Sequence, residues 1–119
     1  MRIILDTNFL IDSIRFKVDL KSELVGNELF ILNSIIFEIE RITKRKTKES
    51  ALAKLALLYI KRKHLKILKP KEKNTDLSLL NYSKRGYAIA THDRVLKNKI
   101  KEAGGKVIFI RQKKYVVFE

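Results

Sequence analysis

Two aspartates stand where an apolar run gives way to a new segment: Asp6 after MRIIL, and Asp93 after YAIATH. A carboxylate at the end of a buried strand loses solvation, so the placement calls either for a helix to cap or for a cation to bind. Two further acids fall near the starts of other segments, Glu38 in SIIFEIERI and Asp76 in NTDLSLLNYSKRG. Taken singly each has an ordinary explanation: a cap, compensation of a helix dipole, or a solvated ion pair. Taken together, several carboxylates close to one another repel, and at neutral pH some keep their protons unless a cation compensates. The chain has no cysteine and neither histidine is well placed as a ligand, so an all-oxygen donor set favours Mg2+ or Mn2+ over zinc. Such ions orient a phosphodiester, lower the pKa of an attacking water and stabilise the leaving oxygen, which suggests metal-assisted phosphodiester hydrolysis.

The elements that must position these acids alternate. Short apolar runs at residues 1–5, 29–32, 65–68, 87–90 and 107–110 read as strands, and Tyr115 to Phe118 reads as a sixth strand at an edge. Segments with helical spacing lie between them, from Asn8 to Arg15, 34 to 46, 49 to 64, 74 to 86 and after Asp93, while residues 16 to 27 read as a loop or weak helix. This order predicts an α/β fold: helices on both faces of a central, mainly parallel five-stranded sheet, with an extra edge strand at the C-terminus. In such sheets sites lie beyond the carboxyl ends of the strands, where Asp6 and Asp93 fall. At about 100° per residue, Ile35, Ile39 and Ile42 share one helix face, Glu38 borders it and Glu40 points to water. Other faces expected to turn inward are Leu52, Leu55, Ala56 and Tyr59; Leu77 and Leu80; and Leu96, Ile100 and Ala103. Asp12 is expected to be solvated. Leu57 and Ile60 lie off the first of these faces, so that helix is either deeply buried or carries a second apolar face for another chain, which suggests a homodimer.

With 119 residues the chain is expected to form one domain, 1–119, large enough for a core without disulfides. Lys and Arg number 27 against 13 Asp and Glu, for a formal net charge of +14. A proteome-wide lysine bias usually brings glutamate with it, and here glutamate lags, so the excess points to a polyanionic partner and first to nucleic acid. Candidate phosphate contacts are Arg41, Lys44, Arg45 and Lys46, with Arg94 beside Asp93. No apolar run approaches the roughly 20 residues that span a bilayer, and the N-terminus lacks the order of a signal peptide, so the expectation is a cytoplasmic protein with no membrane partner.

With these residues in place, the chain resembles the PIN domain nucleases. LDTNFLI is similar to that family's opening aspartate motif, SIIFEIERI to its glutamate helix, NTDLSLLNYSKRG to its third acidic segment and ATHDRVL to its fourth. The likeness covers nearly the whole chain, and its C-terminal part is most similar to archaeal PIN proteins near the ribosome-processing branch, more than to VapC-type toxins. The resemblance implies a three-layer α/β/α sandwich and an endoribonuclease dependent on Mg2+ or Mn2+, acting in rRNA processing or as a toxin. It also implies Asp6, Glu38, Asp76 and Asp93 as metal-binding catalytic acids, with Asn8 and Thr91 in support. Frequent dimers and an antitoxin or ribosome-assembly partner follow from the same likeness. Where relatives often carry Asn or Ala before the fourth aspartate, this chain has His92, expected to be a harmless surface variant.

Two rival readings differ in kind. A non-catalytic RNA-binding or assembly module would keep the fold and the basic surface without cleaving. A receiver-like phosphoacceptor would need paired acids near the first strand and a lysine after the fifth; the pair is missing, and Lys106 and Lys113 are out of place.

Overall fold

The computed structural model describes all residues, 1–119. Its elements run β1 (Arg2–Leu5), α1 (Thr7–Arg15), α2 (Leu20–Glu23), β2 (Glu28–Leu32), α3 (Asn33–Thr43), α4 (Lys48–Arg62), β3 (Lys66–Leu68), α5 (Thr75–Lys84), β4 (Ala88–Ala90), α6 (Arg94–Glu102), β5 (Val107–Arg111) and β6 (Tyr115–Phe118). They build a six-stranded sheet in the order β3-β2-β1-β4-β5-β6. All pairings are parallel except β5 with β6, which closes one edge as an antiparallel ribbon. Helices cover both faces: α1, α3 and α4 pack on one another, and α5 packs on α6. The alternation of short apolar strands and helices therefore yields the expected α/β architecture.

Strand order positions the site. From β1 the chain steps outward to β2 and β3, then returns to lay β4 on the other side of β1. Between β1 and β4 the connections diverge to opposite faces, which leaves a crevice at the carboxyl ends of the two strands. Register places Leu5 beside Ala90, and the Asp6 N–H continues the ladder by donating to the Ala90 carbonyl at 2.9 Å. Asp6 and Thr91 are thus brought side by side by backbone pairing. Buried side chains behind them, Ile3, Ile4, Leu5, Ile89 and Ala90 among others, belong to one core of 28 residues. No helix is long and apolar enough to cross a membrane.

Three helix faces differ in part from the expectation: Ala56, Leu96 and Ile100 are buried as expected, and Leu52, Tyr59 and Leu80 are half-buried against the core. In α4 the buried residues are Ala53, Ala56 and Ile60, while Leu55 and Leu58 are exposed. The small alanines let α4 approach α1 and α3 closely, and the bulkier leucines fall to the flanks and outside. In α5 the inward residues are Ser78, Leu79, Tyr82 and Ser83, and Leu77 is exposed. Polar anchors set that rotation: the Ser78 hydroxyl exchanges hydrogen bonds with the backbone of Glu72, and the Tyr82 hydroxyl donates to the Lys69 carbonyl. Ala103, the C-cap of α6, is exposed rather than inward. Gly105 just beyond it is required by proximity, since a Cβ there would lie 2.1 Å from the Ser83 hydroxyl oxygen.

Candidate active site

Asp6 is the N-cap of α1, and its carboxylate is held at both oxygens. Oδ1 accepts from the Thr7 N–H at 2.8 Å, and Oδ2 accepts from the Thr91 hydroxyl at 2.7 Å. Thr91 is fully buried, and its Oγ also accepts from the Asp93 N–H at 3.1 Å, so one hydroxyl ties the two strand-end acids together. Asp93 caps α6, with Oδ1 accepting from the Leu96 N–H. Capping and cleft placement are therefore compatible: each strand-end aspartate caps the helix that follows and still faces the crevice.

The two remaining acids arrive on helices. Glu38 sits at the edge of the face that buries Ile35, Ile39 and Ile42, half-buried, while Glu40 is exposed as the helical arithmetic requires. Asp76 lies in the first turn of α5, whose N-cap Asn74 accepts from the N–H groups of Asp76 and Leu77. Neither the Glu38 nor the Asp76 carboxylate has a hydrogen-bond partner on the protein. All four acids line one cleft of about 380 Å³.

Electrostatics in the cleft reflect crowding. Burial pushes the Asp6 carboxyl up to about 6, helped by the charges of Asp76 and Glu38 and opposed by the hydrogen bonds from Thr91 and Thr7. Asp76 is also raised, first by desolvation and then by Asp93, with Lys99 opposing. Arg15 is the cation lining the cleft, but it is ion-paired to Asp12 and Glu49. Its charge is thus engaged by Asp12 and Glu49 and by none of the four acids. An all-oxygen set with a desolvated, like-charged member suits a hard divalent cation. As the side chains lie, no three acids stand close enough together to enclose one ion; the free Glu38 and Asp76 carboxylates are the ones able to rotate inward.

Of the supporting residues, Thr91 bonds Asp6 directly, whereas Asn8 acts one step away, its Oδ1 accepting from the His92 N–H at 3.1 Å. Arg41 and Lys44 line a neighbouring cavity, Arg45 and Lys46 are exposed in the turn between α3 and α4, and Arg94 lies on the far side near Thr91 and His92. The expectations for Asp12 and His92 need correction. Asp12 is partly buried in the cleft wall, bonded to Arg15 and to His92 Nδ1 at 2.6 Å. His92 also accepts at Nε2 from the Ile110 N–H at 2.9 Å and packs against Phe9. Because Nε2 accepts, Nδ1 carries the proton and donates it to Asp12. His92 thus braces α1, β5 and the loop that carries Asp93. The sequence held one signal for this: Asp12 follows Asn8 by four residues and so shares its helix face. Thr7 was missed as well; it lines the cleft, and its buried hydroxyl has no partner.

The chain is similar to several known proteins. A family described as a PIN-like domain matches residues 3–113. Ribonuclease VapC4 of Methanocaldococcus jannaschii is 36% identical over 96% of this chain and 93% of its own. The solved structure of the PIN domain endonuclease Utp24 superposes with a TM-score of 0.82 at 21% identity, over 99% of this chain and 90% of that one. A domain of a functionally unknown protein from Methanocaldococcus jannaschii superposes with a TM-score of 0.69 at 15% identity, over 92% and 91% of the two chains. By the span of the family match and the identity to its relative, this chain belongs to the PIN-like domain family.

Proposed function

We propose that the protein is an endoribonuclease dependent on Mg2+ or Mn2+, acting on RNA in the cytoplasm. The observation that carries this reading is the gathering of Asp6, Glu38, Asp76 and Asp93, from four separate elements, in one cleft at the carboxyl ends of β1 and β4. The identity to a relative named a ribonuclease supports the choice of substrate. In this reading Asp6, Glu38, Asp76 and Asp93 would hold the ion, which would supply Lewis acidity toward the phosphodiester and lower the pKa of a water. Asp6 and Asp93 are fixed by Thr7, Thr91 and Leu96 and set the position of the site, and Glu38 and Asp76 complete it from the cleft walls. Asp6 must give up its proton to bind, so ion binding and ionisation are coupled there. Arg41, Lys44, Arg45 and Lys46 draw the RNA backbone to the rim, and Arg94, beside Asp93, adds positive charge in the cavity of Thr91 and His92.

Asp6→Asn and Asp93→Asn each remove a charged ligand while keeping the cap. Removing several kcal/mol of charge stabilisation lowers the cleavage rate on the order of a thousandfold. Cleavage of a labelled RNA in Mn2+ measures it, and wild-type rates in both variants would sink the assignment. One observation favours a second reading, a non-catalytic RNA-binding module: no three acids enclose an ion as they lie. That reading predicts RNA binding with no cleavage in Mn2+.

A homodimer belongs to the same proposal. Leu55 and Leu58 are exposed on the outer side of α4, beside Ile14 and Tyr59, and an apolar strip of this kind is suited to a second copy. Light scattering at micromolar concentration is expected to give twice the chain mass, with Leu55→Glu returning it to the monomer value. A monomeric wild type would remove the dimer.

A further inference from the structure

The acid cleft has a neighbour. A second cavity, of about 550 Å³, shares Glu38 and Thr75 with it and is otherwise lined by Ser34, Phe37, Glu40, Arg41, Lys44 and Lys73. Phe37 is 57% exposed, an unusual setting for a phenyl ring. It stands on α3 one turn before Arg41 and two before Lys44, and these three fall within roughly 60° of arc, a stripe along the helix. Glu38 lies beside that stripe, on the flank that turns into the acid cleft. Across the cavity, Lys73 comes from the loop before α5, and the Thr75 hydroxyl donates to the Ser34 hydroxyl at 3.3 Å, joining the two walls at the border between the cavities. Arg41, Lys44 and Lys73 take part in none of the ion pairs of the molecule.

We infer that this cavity is a subsite for an unpaired nucleotide of the RNA, the one next to the phosphodiester in the acid cleft, with its base stacked on Phe37 and its phosphates against Arg41, Lys44 and Lys73. The inference rests on the ribonuclease reading of the acid cleft and deepens it by naming the residues of this chain that would hold the nucleotide beside the scissile phosphodiester. An aromatic face offers a base something only when that base is free of its own stack, and such platforms flanked by cations are how single strands are held without sequence preference. Duplex phosphates would find the same cations but nothing to place on the ring. An acidic protein segment would also find the cations, but would gain little from a bare phenyl ring.

Binding can be separated from cleavage by working with the whole chain in a chelator, using a short oligoadenylate as the single strand and the same strand annealed to its complement as the duplex. Phe37→Ala should weaken the single strand roughly tenfold, the scale of one lost base stack, and the duplex hardly at all. Phe37→Trp should keep the affinity. Because the chain contains no tryptophan, the fluorescence of that variant reports on this one position and should be quenched by the single strand and not by the duplex. Replacing Arg41, Lys44 and Lys73 together by Ala should weaken both forms and flatten the log-log salt dependence by about 2. The subsite is overturned if Phe37→Ala binds the single strand like wild type, if it weakens single strand and duplex equally, or if poly-glutamate competes as well as oligoadenylate does. A failed stacking result with Asp6-dependent cleavage intact removes the subsite alone. Phe37-dependent stacking with cleavage indifferent to Asp6→Asn removes the nuclease reading and leaves a single-strand binding site.

Discussion

The cleft has two kinds of acid, and they are held differently. Asp6 and Asp93 end adjacent parallel strands, cap the helices that follow, and are bound to Thr7, Thr91 and Leu96. Glu38 and Asp76 ride on α3 and α5 with no hydrogen bond to either carboxylate. The difference teaches how such a site forms: sheet register positions half of it in advance, and helix packing brings the other half near enough to close. With the side chains as they lie no three acids are within reach of a single ion, and Glu38 and Asp76 are the two that must turn to close the set.

The largest test of this comparison sets the two pairs against each other. Asp6→Asn loses the fixed ligand and should stay inactive at any Mn2+ concentration. Glu38→Gln and Asp76→Asn lose adjustable ligands, and their activity should fall roughly 10- to 100-fold at low Mn2+ and recover in part as Mn2+ is raised. Rate against Mn2+ concentration for the three variants shows the split. Equal, unrecoverable losses in all of them would erase the distinction between fixed and adjustable acids.

A smaller effect sharpens the comparison from the stability side. In the unfolded chain Asp6 ionises near 3.8, and in the fold it keeps its proton to about 6. Between those values the folded state binds the extra proton, so Asp6 makes metal-free stability fall as pH rises from about 4 to about 6 and stay lower above that. Asparagine cannot ionise; its Oδ1 keeps the Thr7 contact, and its Nδ2 meets the Thr91 hydroxyl as a donor, as the protonated carboxyl does. Without metal, Asp6→Asn should match wild type at pH 3.5 and exceed it at pH 8 by up to about 3 kcal/mol. Urea unfolding at the two pH values measures the gap, and equal stabilities at pH 8 would mean that the buried charge costs nothing.

Much of this was legible in the residues. Apolar runs located all six strands, and the order of strands and helices implied a parallel sheet with Asp6 and Asp93 at the carboxyl ends of its strands. Helical arithmetic separated Glu38 from Glu40 because α3 is amphipathic, with a clean isoleucine face. The same arithmetic failed for α4 and α5. Ala56 is buried as expected, but Ala53, Ser78 and Ser83, small residues that a hydrophobic count passes over, take the other inward positions. Small size and hydrogen bonds to the preceding loop decided those rotations, and both depend on tertiary neighbours. Asp12 and His92 were misjudged for a related reason. Each looks like a surface residue until the β4–α6 loop, α1 and β5 come together, and only then do His92's two ring nitrogens acquire an acceptor and a donor. Long-range polar partnership leaves no periodicity to read.

The central claim is that these four acids hold a divalent cation, and its most direct measurement is anomalous scattering from crystals of the protein soaked in millimolar Mn2+. The account predicts a Mn2+ peak in the cleft coordinated by Asp6 and Asp93, with Glu38 and Asp76 turned toward it. A cleft without a Mn2+ peak at that concentration would contradict it.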